Sequence, residues 1–75
     1  MKEVHNKTKI QYLLNEIKLF KDDNTVFIKI IENLNETQKQ YLQQIINKNN
    51  EHILLNEKRI KRLIKIITIN IIIKN

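Results

Sequence analysis

Residues 58–73 have the sequence KRIKRLIKIITINIII, and the two halves of this stretch favour different structures. In the first half, cations alternate with branched aliphatic residues at the spacing of a helix, which predicts an apolar stripe and a cation face. The buried stripe would hold Ile60, Leu63, Ile64 and Ile67. In the second half, isoleucines occupy positions 69, 71 and 73, and this alternation is typical of a strand. The stretch therefore predicts a basic helix, capped by Asn56, and a closing strand at residues 69–73.

The net charge of +6 lies entirely in the last 18 residues, because residues 1–57 balance eight Lys against eight Asp or Glu. Five of these cations fall within eight residues, and we call them the basic segment: Lys58, Arg59, Lys61, Arg62 and Lys65. A cation face of this density most often meets phosphates. The alternative is the solvated surface of a lysine-rich protein.

The rest of the chain suggests alternating helices and strands. Residues 8–21 predict an amphipathic helix that ends at 22–24, whereas β-branched runs at 25–31 and 52–55 predict strands. Another helix begins at Asn35, with Gln38 three positions later as in a capping box. We therefore predict an α+β fold, in which an N-terminal helical extension at 1–24 precedes a compact, basic, RNA-binding βαβαβ domain at 25–75. Since no Gly or Pro interrupts the chain, an all-α helical hairpin or three-helix bundle remains the alternative.

Residue types that catalyse reactions or bind cofactors are nearly absent. The chain has no Ser or Cys nucleophile and no glycine-rich phosphate loop, and His5 and His52 lie far apart. We expect no enzyme activity, no metal site, no cofactor and no small-molecule substrate. The most apolar run, 66–73, is too short to span a membrane, and the basic segment lacks the Trp or Phe of an interfacial anchor, so we expect no membrane partner. Core packing is the expected role of the aromatic residues; if one of them stacks on RNA, Tyr12 is expected to be the most exposed candidate.

The predicted order of elements resembles the bacterial-type large-subunit ribosomal protein L-thirty family, a small βαβαβ domain that packs on ribosomal RNA. In this resemblance Lys29 is the basic residue of the first strand, Gln38 and Lys39 replace a Gln-Arg pair, and Leu42 is a core leucine. The chain lacks every glycine of the family and the Pro before its second helix. The resemblance implies that Lys29, Lys39 and the basic segment touch RNA phosphates.

A second resemblance leads to the same role with a different fold. Arg59, Ile60 and Lys61, followed by Lys65 and Ile67, are similar to the second helix of the helical-hairpin ribosomal protein L-twenty-nine. Either resemblance implies a structural RNA-binding protein of the large ribosomal subunit, intracellular and bound to the ribosome. Its partners would be rRNA and neighbouring ribosomal proteins. The alternative function is a small protein-interaction module or inhibitor, viral or plasmid-borne, that binds a partner through its first helix.

Overall fold

The structure, a computed structural model, describes the backbone of residues 2–74 and the side chains of residues 5–73. It contains two α-helices, α1 (Lys2–Ile31, 30 residues) and α2 (Glu36–Lys74, 39 residues). The helices pack side by side in opposite directions and form a rod with extents of 59 × 14 × 13 Å. No strand occurs between residues 2 and 74. The α+β prediction is therefore wrong, and the fold is the helical hairpin that the sequence left as an alternative.

The turn between the helices is short and closed by hydrogen bonds. Its first part continues the end of α1, because Asn33 N–H donates to the Ile30 carbonyl at 3.1 Å. Asn35 then caps α2: its Oδ1 accepts from Gln38 N–H at 2.8 Å, while Asn35 N–H donates to Gln38 Oε1 at 3.2 Å. This reciprocal pair is a capping box, so the predicted helix start at Asn35 is confirmed.

A seam of side chains with heptad spacing joins the two helices. Apart from Glu16 and Ile45 beside the seam, the less exposed residues recur at intervals of three and four, as in a coiled coil. In α1 these are positions 6, 10, 13, 17, 20, 24, 27 and 31, and in α2 positions 39, 42, 46, 49, 53, 56, 60, 63, 67 and 70. The buried hydrophobic residues of the seam are Leu13, Ile17, Leu42, Ile46 and Ile53.

Asparagines form polar layers within this apolar seam. Asn24 is only 7% exposed; its Nδ2 donates to Asn50 Oδ1 at 3.0 Å and its Oδ1 accepts from Asn49 Nδ2 at 2.8 Å. Asn56, 2% exposed, donates to Glu16 Oε1 at 3.1 Å. Among the described side chains no buried polar atom lacks a partner. Because a shifted register would leave these amides unpaired, the layers specify how the helices align.

The three predicted strands, 25–31, 52–55 and 69–73, are all helical, and the predicted end of the first helix at 22–24 lies inside α1. β-Branched residues favour strands because they suit a pleated, half-buried surface, but this preference is weaker than a consistent heptad seam. Ile53, Ile60 and Ile67 are spaced by seven residues and all face α1. Asn24, interpreted as a helix terminator, is instead the paired amide of a polar layer. The predicted domain boundary after residue 24 also falls within α1.

Candidate nucleic-acid interface

The basic segment lies on the outer face of α2. All five of its side chains are exposed, whereas Ile60, Leu63 and Ile67, between and after them, are turned toward α1. The prediction of a helix with an apolar stripe and a cation face is correct for these three residues. It is wrong for Ile64, which is 50% exposed. The seven-residue interval from Lys58 to Lys65 corresponds to about 10 Å along the helix axis.

The cations of the basic segment form no ion pair within the described part of the chain. Among the side chains of residues 5–73, the one ion pair joins Lys39 Nζ to Glu36 Oε1 at 3.8 Å, near the turn. Glu57 directly precedes the segment but forms no ion pair with it. Five like charges thus stand close together on one exposed helical surface. Such an arrangement favours a ligand that supplies several negative charges.

The first helix adds a cation and an aromatic ring to one edge of this surface. Lys9 and Tyr12 of α1 lie beside Arg59 and Arg62 of α2 and line a groove of about 470 Å³. Leu13 and Leu63 form the apolar floor of the groove. It therefore combines three cations with an aromatic side chain, which is the combination that single-stranded nucleic acids meet in protein grooves.

Tyr12 is 65% exposed and keeps its proton at neutral pH. Its hydroxyl donates a hydrogen bond to the Glu16 carboxylate, and this bond is the main reason that its pKa is raised above the ordinary value of 10.0. The negative charge of Glu16 and a small desolvation act in the same direction. Tyr41, at 68%, is more exposed, so the prediction that Tyr12 would be the most exposed aromatic residue is wrong. Tyr41 lies at the turn end of the hairpin, beside Ile30 and Leu34. Tyr12 is thus the exposed ring that lies next to the basic segment.

Two predicted RNA-binding residues lie far from the basic segment. Lys29 is exposed in the last turn of α1. Lys39 is half-buried and paired with Glu36, and it precedes Lys58 by 19 residues of continuous helix, or about 28 Å. The structure therefore brings together the five residues of the basic segment but not Lys29 and Lys39.

Sequence reasoning missed Lys9 and the groove that it lines. The signal was available in the heptad spacing that begins at Ile10, because an antiparallel hairpin with this seam places Lys9 and Tyr12 on the same edge as Arg59 and Arg62. Lys9 of α1 can be grouped with Arg59 and Arg62 of α2 only when α1 and α2 are each recognised as one continuous helix.

Other kinds of site have no support among the described residues. No group of three or more Asp, Glu or His side chains is placed to hold a metal ion in that part of the chain. Neither described helix contains a stretch that is both long and apolar enough to cross a membrane. No protein-family model, no curated protein and no solved structure matches this chain.

Proposed function

We propose that this chain is a non-catalytic RNA-binding protein that holds the RNA backbone against the basic segment. The observation that carries the proposal is the absence of any ion pair for these five exposed cations within the described residues. Like charges three or four residues apart on a helix repel each other, and the basic segment contains five such pairs. At a few tenths of a kcal/mol per pair, phosphates that neutralise the segment would relieve about 1 to 2 kcal/mol of repulsion.

The groove supports RNA rather than a uniform anionic surface as the ligand. Unpaired bases of RNA stack on exposed aromatic rings while the backbone tracks a row of cations. Tyr12 offers such a ring between Lys9 and Arg62. The ribosomal setting, with rRNA and neighbouring ribosomal proteins as partners, is the more specific form of the proposal. It is supported by the resemblance to L-twenty-nine, whose implied fold is also a helical hairpin.

The test compares two variants that carry the same net charge. The first replaces four members of the basic segment by Gln: Lys58, Lys61, Arg62 and Lys65. The control replaces four exposed lysines elsewhere on the hairpin: Lys7, Lys18, Lys21 and Lys48. Fluorescence anisotropy with a labelled single-stranded RNA then measures affinity over a series of salt concentrations.

For five phosphate contacts we expect a slope of log K against log salt of about −3.5 on single-stranded RNA. The basic-segment variant keeps one of the five contacts, so its slope should shrink to about −0.7 and most of its affinity should be lost, whereas the control should keep most of both. Equal losses in the two variants would show that net charge alone governs binding and would overturn the proposal. Preferential binding to anionic lipid vesicles would assign the cation face to a membrane surface instead. Nuclease-sensitive co-sedimentation with ribosomes tests the ribosomal form.

A protein-interaction module is the second candidate function, and the surface of α1 favours it. Tyr12, Leu19 and Val26 recur every seven residues and are all more than half exposed. Size-exclusion chromatography of a lysate with and without nuclease separates the two functions. A complex that nuclease abolishes supports RNA binding, whereas a nuclease-resistant complex that is lost on replacing Leu19 by Lys supports protein interaction.

A further inference from the structure

The isolated hairpin exposes much more surface than a compact protein of its size. Its accessible surface is 6341 Å², whereas a globular monomer of 9.1 kDa exposes about 4,900 Å². Its radius of gyration is 17.3 Å, against about 11 Å for a compact chain of this length. With one interhelical seam, only five hydrophobic side chains among the described residues are buried. The surplus of about 1,400 Å² per chain exceeds the roughly 800 Å² that each partner buries in a standard interface.

The exposed apolar side chains are concentrated along one edge of the rod, which we call the tyrosine flank. The grooves identify this edge, because Tyr12 lies beside Arg59 near the open end and Ile30 lies beside Tyr41 near the turn. Residues at multiples of seven from Tyr12, Tyr41 and Arg59 continue the same rows. The tyrosine flank thus comprises Tyr12, Leu19, Val26 and Ile30 of α1 and Tyr41, Leu55, Ile66, Ile69 and Ile73 of α2.

The opposite flank is smaller and more polar. A shallower groove places Leu14 and Lys21 of α1 beside Glu57 and Lys61 of α2 on this edge. By the same heptad rows, its exposed large apolar side chains are Leu14, Ile28, Leu54, Ile64 and Ile71. Lysines and amides separate these five residues along both helices. The two edges of one hairpin therefore differ by nearly a factor of two in exposed apolar side chains.

We propose that the tyrosine flank binds a second copy of this chain, side by side, to form a four-helix bundle. Its nine side chains are 41% to 76% exposed. At on the order of 100 Å² each, they offer roughly 900 Å² per protomer, which reaches the roughly 800 Å² per partner of a standard stable interface. The proposal does not depend on RNA binding.

Charged residues interrupt the apolar residues of the tyrosine flank. From the open end to the turn, the flank presents isoleucines, then the cations Lys9, Arg59 and Arg62, then Leu19 and Leu55 at the centre. Beyond the centre, Asp23 continues the row of Lys9 and Lys48 continues the row of Tyr41, before the apolar residues near the turn. Asp23 and Lys48 have opposite charges, so the apolar side chains rather than the charges carry the contact between the two copies.

The dimer would cover the groove of Lys9, Tyr12, Arg59 and Arg62, so RNA would reach the dimer only through the remaining cations of the basic segment. Lys58, Lys61 and Lys65 occupy heptad rows that point away from both the seam and the tyrosine flank. The bundle would therefore carry two such cation faces, one from each protomer.

Adjacent leucines of α2 provide a matched test. Leu54 and Leu55 are 55% and 44% exposed and lie on opposite flanks at similar angles from the seam. We expect sedimentation velocity on nuclease-treated protein at about 1 to 100 μM to give twice the 9.1 kDa chain mass. Leu55→Lys should raise the dimer dissociation constant roughly tenfold or more, because the twofold axis introduces the charge twice, while Leu54→Lys should leave it unchanged.

A second pair of variants tests the same flank on α1, so the test still decides if Leu55→Lys fails to fold by circular dichroism. Leu19→Lys should weaken the dimer, whereas Leu14→Lys, on the opposite flank, should leave it unchanged. A wild-type chain that is monomeric over the whole concentration range would overturn the proposal. So would equal effects of Leu54→Lys and Leu55→Lys. A monomer that binds anionic vesicles through the tyrosine flank would assign that surface to a membrane and would also overturn it.

Discussion

Replacing Asn24 by Ala tests whether the asparagine layers hold the hairpin together. Asn24 is 7% exposed and joins the helices through two hydrogen bonds, to Asn49 and Asn50. The substitution removes both bonds at once. It leaves the neighbouring apolar residues of the seam unchanged.

The expected loss follows from these two bonds. Each intramolecular hydrogen bond contributes about 1 kcal/mol net, so their loss costs about 2 kcal/mol. Ala forms helix better than Asn by about 0.5 kcal/mol, which offsets part of this. Asn50 is exposed and Asn49 is half-buried, so water can form part of the hydrogen bonds that their amides lose in the variant. The free energy of unfolding should fall by about 1.5 kcal/mol, a large fraction of the roughly 3 to 5 kcal/mol expected for a core this small.

Asn15→Ala is the matched control, because Asn15 lies in the same helix but bonds only to the exposed Gln11 at 3.1 Å. That local bond and the gain in helix propensity nearly cancel. Urea denaturation followed by circular dichroism, at one protomer concentration, should give free energies of unfolding that differ by about 1.5 kcal/mol between the two variants. In thermal unfolding the same difference corresponds to about 6 to 12 °C in Tm. A difference below about 0.5 kcal/mol would refute the structural role of the layer. A double-mutant cycle with Asn49→Ala should give a coupling energy of about 1 kcal/mol.

Three further predictions concern the seam and the groove. Asn56→Leu should raise the free energy of unfolding by about 1 kcal/mol in urea titrations, because burial of the Leu side chain outweighs the loss of one hydrogen bond to Glu16. Glu16 is half-buried and can bond to water instead. A destabilised variant would contradict this prediction. Glu16→Gln should lower the pKa of Tyr12 toward 10.0 in a phenolate absorbance titration. The folded pKa of Tyr12 lies above its unfolded value, so its contribution to stability is complete below pH 10.0 and is lost as the pH rises through the folded pKa. A wild-type protein whose free energy of unfolding does not change over this pH range would disprove the interaction between Tyr12 and Glu16. Leu13 is 4% exposed, so Leu13→Ala should lower the free energy of unfolding by about 2 to 3 kcal/mol, whereas Leu54→Ala should lower it by less than about 0.5 kcal/mol. Equal losses in thermal unfolding would show that Leu13 does not lie in the seam.

The local features of this fold could be predicted from the sequence, whereas the pairing of its helices was not recognised. The capping box at Asn35 and the apolar stripe of the basic segment each depend on residues within one or two turns, so spacing alone identifies them. The runs at 25–31 and 69–73 were assigned to strands because isoleucine favours strands and Asn24 commonly ends a helix. The secondary structure of residues 25–31 depends on packing against α2. Phe27 and Ile31 lie in the seam between the helices, and the Asn24 amide bonds to Asn50 of α2.

The candidate site shows the same division between local and long-range information. The five cations of the basic segment could be grouped from the sequence because they lie within little more than two turns of one helix. Lys29 and Lys39 were added through a resemblance built on strands, and α1 and α2 keep both near the turn. Lys9 was missed, and Tyr12 was not grouped with the basic segment, because their position beside Arg59 depends on the register of two helices, which amides such as Asn24 and Asn56 specify. A substitution that shifts this register should therefore move Lys9 and Tyr12 away from Arg59 and Arg62 without changing the basic segment, which lies on α2 alone. The contributions of the groove and of the basic segment to binding can thus be measured separately.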